Sequence, residues 1–211
     1  MIKRFIWDLD GTLLDNDFHL NDNFFNLKLP QEEAKLFLDR KRELLYEYET
    51  TYPYYDEELL SEFLTRKTSV NISPKMISEW LEYSRNIPDK VHDGVFEILS
   101  YLQSKKIENV VCSNWFKDPQ VNRLKQAGLL NYFKEVYSGD YSLKPNRAIY
   151  MAACGPYRVD ECVMVGDNLV NDVLVPSEMG IHTIYYNDKD EKVDVDVEHR
   201  VKTLRKIKEM Y

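Results

Sequence analysis

Residues 5–12 read Phe5-Ile6-Trp7-Asp8-Leu9-Asp10-Gly11-Thr12, an apolar run that passes straight into two acids, a glycine and a hydroxyl. An apolar run this short, bounded by turn residues, reads as a buried strand. Similar runs follow at 109–112, 135–137, 162–165 and 182–186. Between the later ones lie helical patterns at 95–104, 119–127, 148–154 and 169–179, the first with Val95, Ile98, Leu99 and Leu102 on one face. Strands alternating with helices at this spacing predict an α/β fold, a parallel sheet with helices on both faces. Gly128 and Gly180 follow two of the helical patterns, where a left-handed residue often ends a helix.

The stretch 17–88 breaks this rhythm, because it holds no strand pattern. Residues 31–48 (QEEAKLFLDRKRELLYEY) read as one charged amphipathic helix with Pro30 near its start, and 56–67 and 74–85 as two more. The division that follows is a core made of 1–16 and 89–211, with an all-α subdomain inserted at 17–88. The tail, 201–211, reads as a closing surface helix. The acidic run 188–198 ends in alternating Val and Asp, the pattern of an edge strand with one wet face.

Composition narrows the function. The chain has 211 residues, 44% of them hydrophobic, enough for a folded core. Its 28 Lys and Arg against 36 Asp and Glu give a net charge of −8, which excludes binding nucleic acid through bulk positive charge. Phe5–Trp7 is too short for the apolar core of a secretory signal, and no apolar run approaches a membrane span. A soluble cytoplasmic protein, monomer or homodimer, is expected, with neither nucleic acid nor membrane as partner. Cys112, Cys154 and Cys162 form no CxxC pair and read as reduced structural thiols.

In parallel α/β sheets, ligands bind at the carboxyl ends of the strands, so Asp8 and Asp10 point into a site. Two acids so placed serve as a metal pair, an acid/base pair, or a nucleophile with its acid. The run 163–165 delivers Gly166-Asp167 to the same edge, with Asp172 five residues beyond. Acids converging from two strands repel unless a cation sits among them, and a hard divalent cation with oxygen ligands answers that need. Ser113-Asn114, at the tip of the second strand, offers a hydroxyl and an amide to a phosphoryl oxygen. Lys144, beyond the third strand, offers a charge to a transferring phosphoryl group.

In their order these residues resemble the haloacid dehalogenase superfamily of phosphohydrolases. Its Asp-x-Asp-x-Thr motif is met by Asp8, Asp10 and Thr12, its strand-end Ser by Ser113, its Lys by Lys144, and its Gly-Asp-x4-Asp motif by Gly166, Asp167 and Asp172. The resemblance covers about 1–16 and 89–200, and the insertion is similar to the family's helical type-1 cap. It implies a Rossmann-like core and an Mg²⁺-dependent phosphatase acting on a small organic phosphate monoester through an aspartyl-phosphate. Asp8 would be the nucleophile and Asp10 the general acid and base. Ser113, Asn114, Lys144 and Thr12 would form the phosphate-binding set, Thr12 also bracing the loop. Mg²⁺ would be held by Asp8, the Asp10 carbonyl and Asp167, with Asp172 a direct or indirect ligand.

Other activities share this pattern. A 2-haloacid dehalogenase needs no acid at the second position, since halide leaves unprotonated; a phosphomutase keeps both acids; a catalytically silent binding protein would tolerate losing them. Most of the insertion's aromatics, Phe24, Phe25, Tyr46, Tyr48, Tyr52, Tyr54, Tyr55, Trp80 and Tyr83, are expected in its own core. Trp115 and Phe116 are expected either to wall the pocket or to pack in a core. No histidine has a partner at metal-binding spacing.

Overall fold

The computed structural model describes residues 1–16, 18–190 and 192–211. Asp17, where the insertion is expected to begin, and Glu191, in the acidic run, lie outside the described residues. In chain order the elements are β1 (Arg4–Trp7), β2 (Leu14–Asn16), α1 (Phe18–Lys28), α2 (Gln31–Leu38), α3 (Lys41–Thr51), α4 (Glu57–Thr68), α5 (Pro74–Ser84) and β3 (Asp89–Val91). There follow α6 (Val95–Ser104), β4 (Glu108–Cys112), α7 (Lys117–Gln126), β5 (Val136–Tyr137), α8 (Arg147–Cys154), β6 (Cys162–Gly166), α9 (Val175–Glu178), β7 (His182–Tyr186) and β8 (His199–Val201).

Six strands form a wholly parallel sheet in the order β5-β4-β1-β6-β7-β8. The chain leaves β1 toward β4 and β5 on one side and returns to β6, β7 and β8 on the other, so the strand order reverses at β1. Trp7 pairs with Val111 of β4 and Val165 of β6, which sets three strand ends side by side. Alternation along β1 buries both faces. Phe5 and Trp7 pack with Val111, Val163, Val165 and the Val95, Ile98, Leu99 and Leu102 stripe of α6; Ile6 packs with Val110, Met164 and Ile149 and Tyr150 of α8.

The helices α1–α5 close around a separate aromatic cluster of Phe25, Phe37, Tyr48, Phe63 and Trp80, which Phe116 and Leu143 join from the sheet side. Local chemistry fixes their ends. Asp56 accepts from the amides of Glu58 and Leu59 at the start of α4, and Ser73 accepts from Met76 with Pro74 in the first turn of α5.

Four local expectations change. The single helix expected at 31–48 is two, although Ala34, Phe37, Lys41, Leu44 and Tyr48 keep helical spacing through the break. Arg40 there donates to Lys67 O, 3.0 Å away, and Lys41 pairs with Asp22, so tertiary partners override propensity. The helix expected at 169–179 opens as a π-helical turn, Leu169–Leu174. Pro176 has no amide hydrogen for the Asp172 carbonyl, and its ring would crowd that group in an α-helix.

The tail is a short 3₁₀ segment, Leu204–Glu209, whose Leu204 and Ile207 are buried rather than surface residues. The expected edge strand is displaced to β8, because the Glu198 carboxylate takes the Thr183 N–H in place of a ladder carbonyl. An antiparallel pair, β2 with β3, also flanks the helical unit where no strand was foreseen.

Candidate active site

The reversal of strand order at β1 creates a crevice at the carboxyl edge, bounded by the ends of β1, β4 and β6. Asp8 follows β1, Ser113 follows β4 and Asp167 follows β6. Backbone geometry draws them closer. Gly11 adopts φ +80°, and a Cβ there would lie 2.5 Å from Asp167 Oδ2; at Gly166 a Cβ would overlap the Asp172 side chain. Both glycines therefore make room for an acid.

Asp8, Asp167 and Asp172 each place a carboxylate oxygen within 4.8 Å of the other two. Lys144 Nζ sits between two of them, 2.7 Å from Asp8 Oδ1 and 2.7 Å from Asp172 Oδ1. Asn168 N donates to Asp172 Oδ2 at 3.0 Å, and Thr12 donates to Asp167 Oδ1 at 3.0 Å. All four charged groups are buried or nearly so. Burial, and next the charge of Asp172, raise Asp8 to about 7, although Lys144 opposes the rise. Burial and the charge of Asp8 raise Asp167 to about 6, and burial raises Asp172 as well. For Lys144 burial acts downward, but Asp172 and Asp8 overcome it and hold the ammonium charged.

Ionised together, the three acids exceed the one lysine by two negative charges in a buried set of oxygen donors. That is the charge and ligand chemistry of one hard divalent cation, so the residues fit such an ion.

Asp10 is turned toward α7. Its Oδ2 accepts from Gln120 Nε2 at 3.0 Å, and its Oδ1 pairs with Arg123 Nη1 at 2.7 Å. Arg123 also grips both oxygens of Asp89 on β3, at 2.7 and 2.9 Å, tying Asp10 to the strand on which the chain leaves the helical unit. Gln120 donates to Ser113 Oγ at 2.7 Å and accepts from Arg123.

Asn114 spends its side chain on structure. Its Oδ1 accepts from Lys144 N at 2.6 Å, and its Nδ2 donates to Lys144 O and to Glu49 Oε2, both at 3.0 Å. Thr12, fully buried, directs its hydroxyl at Asp167. These two side chains, both expected at the phosphate, are thus committed to the lysine loop and to the acid cluster.

Sequence reading did not single out Gln120, Arg123, Asp89 or Glu49. Gln120 and Arg123 lie three apart on the helix after the Ser113 strand, so one face of that helix carries both, a signal present in the sequence. Glu49 and Asp89 carry no local signal. Trp115 and Phe116 join the aromatic cluster of the helical unit; Phe116 also lines a cleft of about 510 Å³, which no expected site residue lines. The three cysteines are free and buried, and among the described residues no helix is long and apolar enough to cross a membrane.

Comparison with known proteins identifies the family and the fold. The family model of haloacid dehalogenase-like hydrolases matches residues 2–180. A glyceraldehyde 3-phosphate phosphatase from Pyrococcus abyssi (strain GE5 / Orsay) is 23% identical over 205 residues, covering 88% of this chain and 82% of the relative. Among solved structures, the HAD-hydrolase YfnB of Bacillus subtilis, bound to magnesium, superposes with a TM-score of 0.75 at 16% identity, covering 99% of this chain and 98% of that one. A 2-haloacid dehalogenase from Pseudomonas syringae pv. Tomato DC3000 superposes with a TM-score of 0.72 at 20% identity, covering 99% and 97%. A strand order reversing at β1, four motifs gathered at its carboxyl edge and a family match over residues 2–180 lead to one conclusion: the chain belongs to the haloacid dehalogenase-like hydrolases.

Proposed function

We propose that this hydrolase is an Mg²⁺-dependent phosphatase acting on a small organic phosphate monoester, with α1–α5 as the cap over its site. The observation that carries the reading is the meeting of Asp8, Lys144, Asp167 and Asp172 in one buried cluster, with a second acid, Asp10, two residues along. The phosphatase name of the Pyrococcus relative supports it.

Asp8 and Asp167 would hold Mg²⁺ together with the Asp10 backbone carbonyl, with Asp172 supporting from beside Lys144. When bound, the cation neutralises charge on the phosphoryl oxygens that approach these carboxylates. Asp8 supplies the nucleophile: its carboxylate oxygen forms a bond to phosphorus as the bond to the leaving-group oxygen breaks. Lys144, 2.7 Å from Asp8 Oδ1, favours the ionised form of that carboxylate against its burial and neutralises charge growing on the phosphoryl group.

Asp10 hands a proton to the departing alkoxide. In the second half-reaction it takes one from the water that attacks phosphorus, and the bond from Asp8 to phosphorus breaks. Ser113 donates its hydroxyl hydrogen to a phosphoryl oxygen while its oxygen accepts from Gln120. The backbone N–H of Asn114 completes the cradle, since the amide side chain is spent on Lys144 and Glu49.

The test is phosphate release by wild type and Asp8→Asn from sugar phosphates, nucleotides, phosphoglycolate and a chromogenic aryl phosphate, each with EDTA or Mg²⁺. Metal-dependent release that Asp8→Asn abolishes is expected. Release indifferent to metal, or undiminished by Asp8→Asn, overturns the reading.

A further inference from the structure

We infer that Glu49, carried into the site by α3, is a specificity-determining residue that selects esters whose leaving group bears hydroxyl donors and no carboxylate. The inference rests on the phosphatase reading and names its substrate class.

Glu49 is a residue of the helical unit whose side chain is bonded to a motif residue, Asn114. Its Oε2 accepts from Asn114 Nδ2 at 3.0 Å, and its Oε1 accepts from Tyr55 OH at 2.8 Å. The same Asn114 amide is bonded to the backbone of Lys144 on both sides, so a single side chain separates Glu49 from the residue that grips Asp8. Burial, the largest influence, raises the Glu49 pKa, while the hydrogen bonds from Tyr55 and Asn114 and the charge of Lys144 act against that rise and favour the carboxylate. Both bonded partners are donors, which suits an ionised carboxylate. Tyr55 is itself fixed, stacked on Tyr48, tilted against Phe116 and joined through its amide to Gly139 O at 2.7 Å.

The charge balance decides what this carboxylate recognises. The two cations bonded to motif residues are already shared: Lys144 between Asp8 and Asp172, Arg123 between Asp10 and Asp89. Among the described residues no third lysine or arginine is bonded to a motif residue. A leaving group with its own carboxylate would therefore meet Glu49 and Asp10 with no cation to receive it. An ionised carboxylate has about four lone-pair sites, and Tyr55 and Asn114 fill two, so Glu49 retains capacity for the hydroxyls of a neutral leaving group. A 2-haloacid is disfavoured likewise, because its carboxylate needs a cation.

The test uses a matched pair, glyceraldehyde 3-phosphate and 3-phosphoglycerate, which differ by an aldehyde against a carboxylate. In the full chain with Mg²⁺, wild type is expected to favour the aldehyde by at least about tenfold in kcat/KM, since like charges brought together disfavour the wrong partner. Glu49→Gln should shrink that ratio about tenfold through a rise for 3-phosphoglycerate. Tyr55→Phe removes a bond but no charge and should hold the ratio within about twofold. In wild type alone, raising salt from about 0.05 to 0.5 M should narrow the preference by screening. A ratio unmoved by Glu49→Gln, or unmoved by salt where that variant does not fold, overturns the assignment of Glu49. Absence of phosphate release from every ester by wild type instead overturns the phosphatase reading, and this assignment with it.

Discussion

Replacing Asp167 by Asn should make the metal-free protein more stable while destroying its activity. In the folded protein, burial and then the charge of Asp8 raise the Asp167 pKa from 3.8 to about 6. A carboxyl whose pKa rises on folding favours the folded state while it is protonated. That contribution is full below about pH 4 and is lost as the pH climbs through about 6. A rise from 3.8 to about 6 corresponds to at most about 3 kcal/mol, and Asp167 keeps some contact with water, so about 1.5 kcal/mol is the working figure. Asn is neutral throughout, and its Oδ1 can still accept from Thr12. At pH 7.5 in EDTA, Asp167→Asn should therefore melt about 3–6 °C above wild type. The two should converge near pH 4. Mg²⁺ should raise the wild-type melting temperature and move the variant's far less. Thermal unfolding across pH 4–8, with EDTA or Mg²⁺, reads all of this. A variant less stable than wild type at pH 7.5 in EDTA, or one with the wild-type pH slope, would refute the reasoning.

Three further outcomes follow from the same contacts. Gly166→Ala drives a methyl into the Asp172 side chain, so it should cost about 1–3 kcal/mol by denaturant titration and cut kcat through the displaced Lys144 partner. Arg123→Lys keeps the charge but cannot hold Asp10 and both Asp89 oxygens at once. Its kcat should fall about tenfold or more for an alkyl phosphate and less for an aryl phosphate, whose leaving group needs little protonation; equal losses would separate Arg123 from Asp10's proton transfer. Asp56→Ala removes the acceptor that caps α4 and should cost about 1 kcal/mol by thermal unfolding, with kcat nearly unchanged; a large loss of kcat would mean that α4 holds the site together.

The core of the fold was legible because its strands are short apolar runs ending in acids or hydroxyls, and the chemistry stands at those ends. Asp8 and Asp167 meet in space because β1 and β6 are neighbours, a pairing that the α/β rhythm alone does not name. What escaped was mostly long-range. Glu49 reaches Asn114 across 65 positions, and Arg123 reaches Asp89 across 34, so no local window holds either pair. The break between α2 and α3 also escaped, because the apolar spacing runs through it unchanged while the partners of Arg40 and Lys41 lie on other helices. The π-helical turn was legible in principle, since Pro176 forbids the α-helical bond to Asp172.

In the proposed mechanism Asp8 becomes covalently phosphorylated. The most direct test is to quench the enzyme with acid during turnover of a phosphate ester, reduce it with borohydride and analyse the peptide that carries Asp8 by mass spectrometry. An acyl phosphate at Asp8 would be reduced to homoserine, and that residue is the result expected, absent when substrate is omitted. Unchanged Asp8 in enzyme quenched while releasing phosphate would exclude the aspartyl-phosphate, leaving hydrolysis to direct attack by water.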